Sequence, residues 1–189
     1  MSRVQVLQAR GYPRMAWKNG GGFTEEIARD QGQGLDGFGW RLSIADIQAS
    51  GAFSSFAGYQ RIITVLQGDG MRLLVDGQPS RPLLPFDGFA FDGASEVDCQ
   101  LIGGPIRDFN LIYAPQRYRA RLQWLEGFNH VHTSASTVLL FAGSQAVDVK
   151  AGQQALQLEQ HDCLQLEGNE ALLALDVKGQ CCLIELDPR

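Results

Sequence analysis

The sequence predicts an all-β chain made of two related halves, and three observations carry that prediction. Apolar residues recur at period two or in short continuous runs, where an amphipathic helix would space them three and four apart. The runs are bounded by Gly, Pro, Asp or Asn, which supply the dihedrals and local hydrogen bonds of turns. A shift of 75 residues then superposes Gly68 on Gly143, Gly77 on Gly152, Gln78 on Gln153, Leu83 on Leu158, Asp87 on Asp162 and Gly93 on Gly168 without a gap. Six identities in register over 26 positions point to duplication rather than to chance convergence of turns.

In chain order, strands are predicted at 39–47, 61–67, 71–77, 88–93, 97–103, 108–114 and 117–125, then at 136–143, 145–152, 154–160, 162–168, 170–177 and 180–186. Helix signals are sparse: IADIQASGAF has room for one turn, which Gly51 stops. Closing each half into a barrel removes exposed strand edges. The expected halves are 1–115 and 116–189. No Pro- or Ser-rich linker separates them, so 1–189 is expected to be a single compact unit.

A chain of 189 residues with 44% hydrophobic and 20% charged content is long enough to bury a core without metals or disulfides. Its net charge of -5 lacks the cationic excess that a phosphate backbone demands, so nucleic acid is not an expected partner. No apolar run approaches the ~20 residues that span a bilayer, and MSRVQVLQARGYPR has no apolar export core; a cytoplasmic protein without membrane contact is expected. Cys99, Cys163, Cys181 and Cys182 contain no CxxC and read as reduced, buried thiols.

Strand, Gly turn, Asp-Gly turn and strand in duplicate point to the double-stranded β-helix, the jelly-roll barrel of the cupins. The predicted fold is therefore a bicupin, two packed barrels in one chain. The metal-binding cupin signature is H-x-H, three or four residues, Glu, six residues, Gly, and a later His. The second half offers His130-Val131-His132, then Ser136 in place of the Glu, Gly143 and His161. Period two puts His130 and His132 on one strand face, and three His suffice for some iron sites. The equivalent first-half positions are Ser55, Ala57, Arg61 and Phe86, which cannot hold a metal in that way. The alternative reading of the histidines is two exposed strand residues and one in a loop.

The densest polar motif is Trp17-Lys18-Asn19-Gly20-Gly21-Gly22-Phe23-Thr24-Glu25-Glu26. Three consecutive glycines allow close backbone approach, either to a ligand, with their N–H groups as an anion nest, or to a crossing strand. Lys18 is one of only three lysines beside thirteen arginines and is suited to a small anion. This run has no counterpart at the 75-residue shift, which places the expected site in the first barrel.

WKNGGGFTEEIA (17–28), GWRLSIADIQASGAFSSFAGYQRIITVLQGDG (39–70) and IGGPIRDFNLIYA (102–114) resemble the HutD/Ves family, small bicupins often encoded with histidine-utilisation genes. The resemblance is strong over residues 1–125 and implies a usually dimeric protein without cofactor, usual cupin metal ligands or established catalysis, thought to bind a small molecule. Its motif positions are Trp17, Lys18, Asn19, Gly20, Gly21, Gly22, Thr24 and Glu26, then Ser54, Phe56, Gly58 and Arg61, then Asp108, Phe109 and Asn110. With Arg61 where a metal-binding Glu would stand, the first barrel calls for an anion, gripped by the guanidinium with Lys18 adding a point charge. Asn19, Thr24 and Asn110 would orient it, and Asp108 or Glu26 would hold Arg61 or accept a ligand N–H. The other reading of Arg61 is a structural ion pair with Asp108. Urocanate, formylglutamate and formate are the acids that the family context suggests.

Three functions remain in view. A metal-free protein that binds a small carboxylic acid in histidine utilisation comes first. A metal-dependent oxygenase or isomerase using His130, His132 and His161 is second. The third is an interaction protein using the basic strand face of Arg117, Arg119 and Arg121, which otherwise reads as a solvated edge or subunit contact. Gly32-Gln33-Gly34-Leu35-Asp36-Gly37 matches GxGxxG, but a strand follows it and it reads as a hairpin loop.

Overall fold

A computed structural model describes residues 3–17, 20–32 and 37–189. Among them are nineteen strands, one 3-10 turn at Ala9–Gly11 and no α-helix. In chain order the strands are β1 (Arg3–Leu7), β2 (Arg14–Ala16), β3 (Gly22–Arg29), β4 (Trp40–Ile47), β5 (Gly51–Ala52), β6 (Gln60–Gln67), β7 (Met71–Val75), β8 (Gln78–Pro79), β9 (Phe89–Asp92) and β10 (Val97–Leu101). There follow β11 (Ile106–Tyr113), β12 (Tyr118–Leu125), β13 (Phe128–Thr133), β14 (Thr137–Ala142), β15 (Val147–Ala151), β16 (Gln154–Leu158), β17 (Cys163–Glu167), β18 (Leu173–Lys178) and β19 (Cys181–Pro188). Every predicted run became a strand. The segment 45–53 holds no helical turn, because Asp46 and Ile47 continue β4 in register with Arg107 and Ile106 of β11.

The chain forms two compact units, Pro13–Pro115 and the remainder, Met1–Tyr12 with Gln116–Arg189. In the first, the sheets run β2-β3-β4-β11-β6-β9 and β5-β10-β7-β8. The second repeats that plan as β1-β17-β14-β19-β12 and β13-β18-β15-β16. Among the described residues every strand pairing within these sheets is antiparallel, so each unit is an all-β jelly roll of the predicted kind. The duplication extends to backbone strain: Phe86 (φ 64) and His161 (φ 68), 75 residues apart, both hold a left-handed conformation that costs a bulky residue energy.

Residues 3–12 leave the first half to which the sequence reading assigned them. β1 pairs with β17 from Arg3↔Glu167 to Leu7↔Cys163. The Ala9 N–H donates to Asp162 Oδ1 at 2.8 Å, and the Tyr12 hydroxyl donates to the His161 carbonyl at 2.8 Å. A strand with Val4 and Val6 gains a full ladder there, which satisfies backbone groups that an isolated arm would leave to water.

Each unit has its own apolar core. Ile47, Ile63, Val65, Met71, Leu73, Leu83 and Ile106 fill one end of the first barrel, whereas Val138, Leu140, Leu164, Leu166, Cys181 and Leu183 pack the second. The four cysteines are free and buried, as read from their spacing. No helix among the described residues is long and apolar enough to cross a membrane.

Candidate functional site

Period two decides what the first barrel contains at its other end. β4 turns Trp40, Leu42 and Ile44 to one face and Arg41, Ser43 and Ala45 to the other; β11 turns Asp108, Asn110 and Ile112 the same way. With Arg61 from β6, and with Trp17, Thr24, Phe53, Ser54 and Phe56 around the rim, they line a cavity of about 520 Å³. The 75-residue shift sets Ser136, Leu183 and Glu185 opposite Arg61, Asp108 and Asn110. Leu183 is a core residue of the second barrel. The duplicated fold has thus kept one barrel filled and opened the other.

Two guanidiniums meet in this cavity, each almost wholly buried. Arg41 Nε donates to Glu26 Oε2 at 2.7 Å, and Arg29 Nη2 donates to the same oxygen at 2.5 Å. Burial works to raise the Glu26 carboxyl, but the hydrogen bonds and charges of Arg29 and Arg41 outweigh it and hold it below the ordinary value. Period two sets Glu26 on the same face as Thr24, opposite Ser43, and the β-bulge that follows between Glu26 and Ala28 brings Arg29, three residues on, to that face as well. Arg61 Nη1 donates to the Ser54 carbonyl at 3.1 Å, and its guanidinium lies over the rings of Phe91 (5.0 Å), Phe53 (5.4 Å) and Phe56 (5.4 Å). Burial pushes Arg61 down to about 10 although Asp108 pulls it up, and the charge of Arg41 adds to the fall.

The acceptors sit opposite. Burial pushes the Asp108 carboxyl up to about 7, against the pull of Arg61 and of the Ala45 backbone N–H, with the charge of Asp46 raising it further. Among the described residues, Arg41 Nη2, Arg61 Nε, Asp108 Oδ1 and Asn110 Oδ1 are buried with no hydrogen-bond partner. Buried polar atoms are normally satisfied, so four orphans around one cavity mark it as built for a ligand with both acceptors and a donor.

The expected ion pair between Arg61 and Asp108 does not form within 4.0 Å among the described residues; a carbonyl and three aromatic rings hold Arg61 instead. Glu26 does not hold Arg61 either, because Arg29 and Arg41 take both its oxygens. Thr24 lines the cavity, but its hydroxyl accepts from Trp17 Nε1 at 2.8 Å and so fixes the indole. Trp17, Phe56, Arg61, Asp108 and Asn110 all line the cavity. Lys18 and Asn19 lie outside the described residues, as do positions 33–36 of the GxGxxG-like loop.

The glycine run is the turn between β2 and β3. The Gly20 N–H (φ 72) donates to the Trp17 carbonyl at 3.1 Å, and the Gly21 carbonyl accepts from the Gln48 N–H at 3.1 Å. Gly22 lies against β4, where a Cβ would overlap the Asp46 carbonyl oxygen. Of the two readings, the close approach to a strand is the one with a contact behind it. Gly93 tethers the rim: its N–H donates to the Tyr59 carbonyl at 2.8 Å and its carbonyl accepts from the Phe56 N–H at 2.6 Å.

Sequence reasoning missed Arg41, Ser43 and Phe53. The signal was present: on GWRLSIADI the bulky residues share one face, leaving a lone arginine among small side chains on the other.

In the second unit the three histidines do not converge. His130 and His132 are exposed on β13 with ring centroids 4.6 Å apart, and His130 Nδ1 bonds Asp176. His161 is buried in the turn before β17, stacked on Phe141 at 5.6 Å. Among the described residues no group of three His, Cys, Asp or Glu is placed to hold a metal. Arg119 and Arg121 are exposed on the edge strand β12, where Arg121 Nη1 reaches Glu185 Oε2 at 3.5 Å.

Comparison with known proteins agrees with this architecture. The chain is 72% identical over 190 residues to an uncharacterized 21.2 kDa protein in the hutC 3' region of Pseudomonas putida, with 100% of both chains covered. The structure of HutD from Pseudomonas fluorescens SBW25, obtained in a formate condition, shares 59% identity at a TM-score of 0.90 and covers 99% of this chain and 100% of that one. AerE from Microcystis aeruginosa, at 12% identity, has the same cupin-like fold with a TM-score of 0.62 over 94% of this chain and 98% of its own. The HutD family model matches residues 9–183, nearly the whole of both barrels, and the protein belongs to the HutD family.

Proposed function

We propose that the cavity of the Pro13–Pro115 unit binds a small carboxylic acid, without a metal, and that this binding serves a regulatory or supporting role in histidine utilisation. One observation carries the reading: among the described residues, two buried guanidiniums, Arg41 and Arg61, each leave a donor nitrogen unpartnered in a single cavity. A carboxylate is the group whose geometry satisfies a guanidinium edge, and in a dry pocket that interaction is strong. Asn110 Oδ1 then accepts an N–H of the same molecule, and Trp17, Phe53 and Phe56 cover its apolar part. Urocanate and formylglutamate carry both groups; formate carries only the carboxylate and leaves most of the cavity to water. Similarity to the hutC-region relative and to HutD supports the link to histidine utilisation.

A thermal-shift panel of histidine, urocanate, formylglutamate and formate tests the reading. At a hundredfold excess over Kd, one bound acid adds ~2.7 kcal/mol, or roughly 5–10 °C for a chain of this size. The expected result is a shift with urocanate or formylglutamate and none with histidine, whose ammonium group faces Arg41 and Arg61. A panel in which no acid shifts the transition, or histidine shifts it equally, contradicts the assignment.

A further inference from the structure

We propose that Asp108 is the specificity-determining residue of this cavity: the acid's carboxylate enters together with one proton, which settles on Asp108. The inference rests on the acid-binding reading above and adds the proton.

Among the described residues, an incoming carboxylate and Asp108 compete for a single cation, Arg61. Of the two guanidiniums, Arg41 is already balanced by Glu26 at 2.7 Å. Arg61 has no carboxylate within hydrogen-bond reach among the described residues, and the anion that its charge stabilises at longer range is Asp108. A ligand carboxylate that takes the free Nε edge of Arg61 therefore displaces the electrostatic support of Asp108 and sets two carboxylates around one guanidinium. Two such groups in a low-dielectric pocket do not both stay ionised. Asp108 is 2% exposed and its Oδ1 has no partner, so that oxygen is available to carry the proton and to donate it to the ligand.

Among the described residues, the groups around Asp108 leave no other candidate for the proton. From β4 come Arg41, which lines the cavity with it, and, through its charge, Asp46; from β6 comes Arg61; Glu26 of β3 meets the cavity only through Arg41 and is held ionised by Arg29 and Arg41. Cys99 on β10 is neutral, its thiol pushed up to about 12 by burial and by Asp108. On β11 itself Arg107 bonds Glu25 and Asn110 does not titrate. In the empty protein burial has already lifted Asp108 to about 7, so it is ionised at pH 8 and only one short step from protonation.

The same group sets a selectivity. At pH 8 an acid pays for entry with a proton drawn from solution; its affinity rises by about tenfold as the pH falls from 9 to 8 and by about fivefold from 8 to 7. Below that, Asp108 is protonated in advance and the dependence flattens. A ligand N–H donating to ionised Asp108 would instead bind without proton uptake.

Calorimetric titration of the intact protein with formylglutamate at pH 8, in buffers of different ionisation enthalpy, counts the protons. The expected slope of observed enthalpy against buffer enthalpy is close to one proton taken up, falling near zero at pH 5.5. In Asp108→Asn the slope is expected to vanish at pH 8 and the affinity to rise tenfold or more. If that variant fails to fold, the dependence of Kd on pH in the unaltered protein carries the test, with a change of about fivefold from pH 7 to 8 and about tenfold from pH 8 to 9 as the expected result. Binding with zero slope, or a slope that survives in Asp108→Asn, overturns the proton proposal alone. No binding heat with formylglutamate or urocanate overturns the acid-binding reading and the proposal with it.

Discussion

Arg61→Met is expected to abolish acid binding while leaving the ligand-free protein as stable as before, or more so. The two halves of that expectation have separate causes. A buried guanidinium that has no carboxylate partner within 4.0 Å among the described residues has lost its hydration and recovered little of it, through one 3.1 Å hydrogen bond to the Ser54 carbonyl and three aromatic rings. Methionine fills much of the same volume against Phe53, Phe56 and Phe91 without the desolvation cost. Truncating one partner of a buried charge pair costs about 2–5 kcal/mol of binding, so Kd should rise by about 30-fold to 5,000-fold. Titration with formylglutamate and denaturant unfolding, run on the same preparation, check both halves. Retained affinity would remove Arg61 from the site. A loss of several kcal/mol in stability would show that Arg61 is structural.

The second large effect is expected in the glycine run. Gly22→Ala places a methyl group against the Asp46 carbonyl oxygen, a backbone atom that cannot move without opening the β3–β4 ladder. A forced separation of paired strands is one of the mechanisms behind large point-mutant effects; about 3 kcal/mol is expected, seen as a fall in Tm of roughly 6–12 °C. Gly20→Ala should be milder: nothing lies within 4 Å of its Cβ, and the cost is that of a left-handed residue at φ 72, about 1–2 kcal/mol. A Gly22→Ala protein of unchanged stability that no longer binds acid would reverse the conclusion and return the glycines to the ligand.

The fold was legible because each barrel strand carries its own local signal. Gly68, Gly77 and Gly93 stand at turns or close approaches, and Gly152 and Gly168 repeat the left-handed or turn positions in the second unit, so the duplication could be read before any strand was paired. The short or polar strands were not legible. β5 and β8 have two residues each, too few for a period, and in β3 the bulge at Glu26 breaks the alternation that would have announced it. β1 looked like part of the first half because nothing local records that its ladder partner lies more than 150 residues away. The site was half legible. A charge inside the first barrel could be inferred at Arg61 from the register of the repeat. Arg41 was hidden in a run read only for its apolar residues, and the partner of Glu26 depended on a bulge.

The paired barrels also explain why one chain can hold both a stable core and a strained polar cavity. Leu183 stands in the second barrel where Asp108 stands in the first, and Val138 and Leu140 pack with it in one apolar cluster. The first barrel gives up that packing on β4 and β11 and keeps four buried polar atoms unsatisfied, a cost tolerated at functional sites and offset by ligand when it binds.

A crystal structure of the protein with formylglutamate bound tests the central claim most directly. The expected result is one molecule inside the Pro13–Pro115 barrel, its carboxylate about 2.7–3.0 Å from Arg61 Nε or Arg41 Nη2 and its amide N–H on Asn110 Oδ1. Density for the acid in the second unit or on the exposed His130–His132 face, with the Arg41–Arg61 cavity empty of it, would contradict the account.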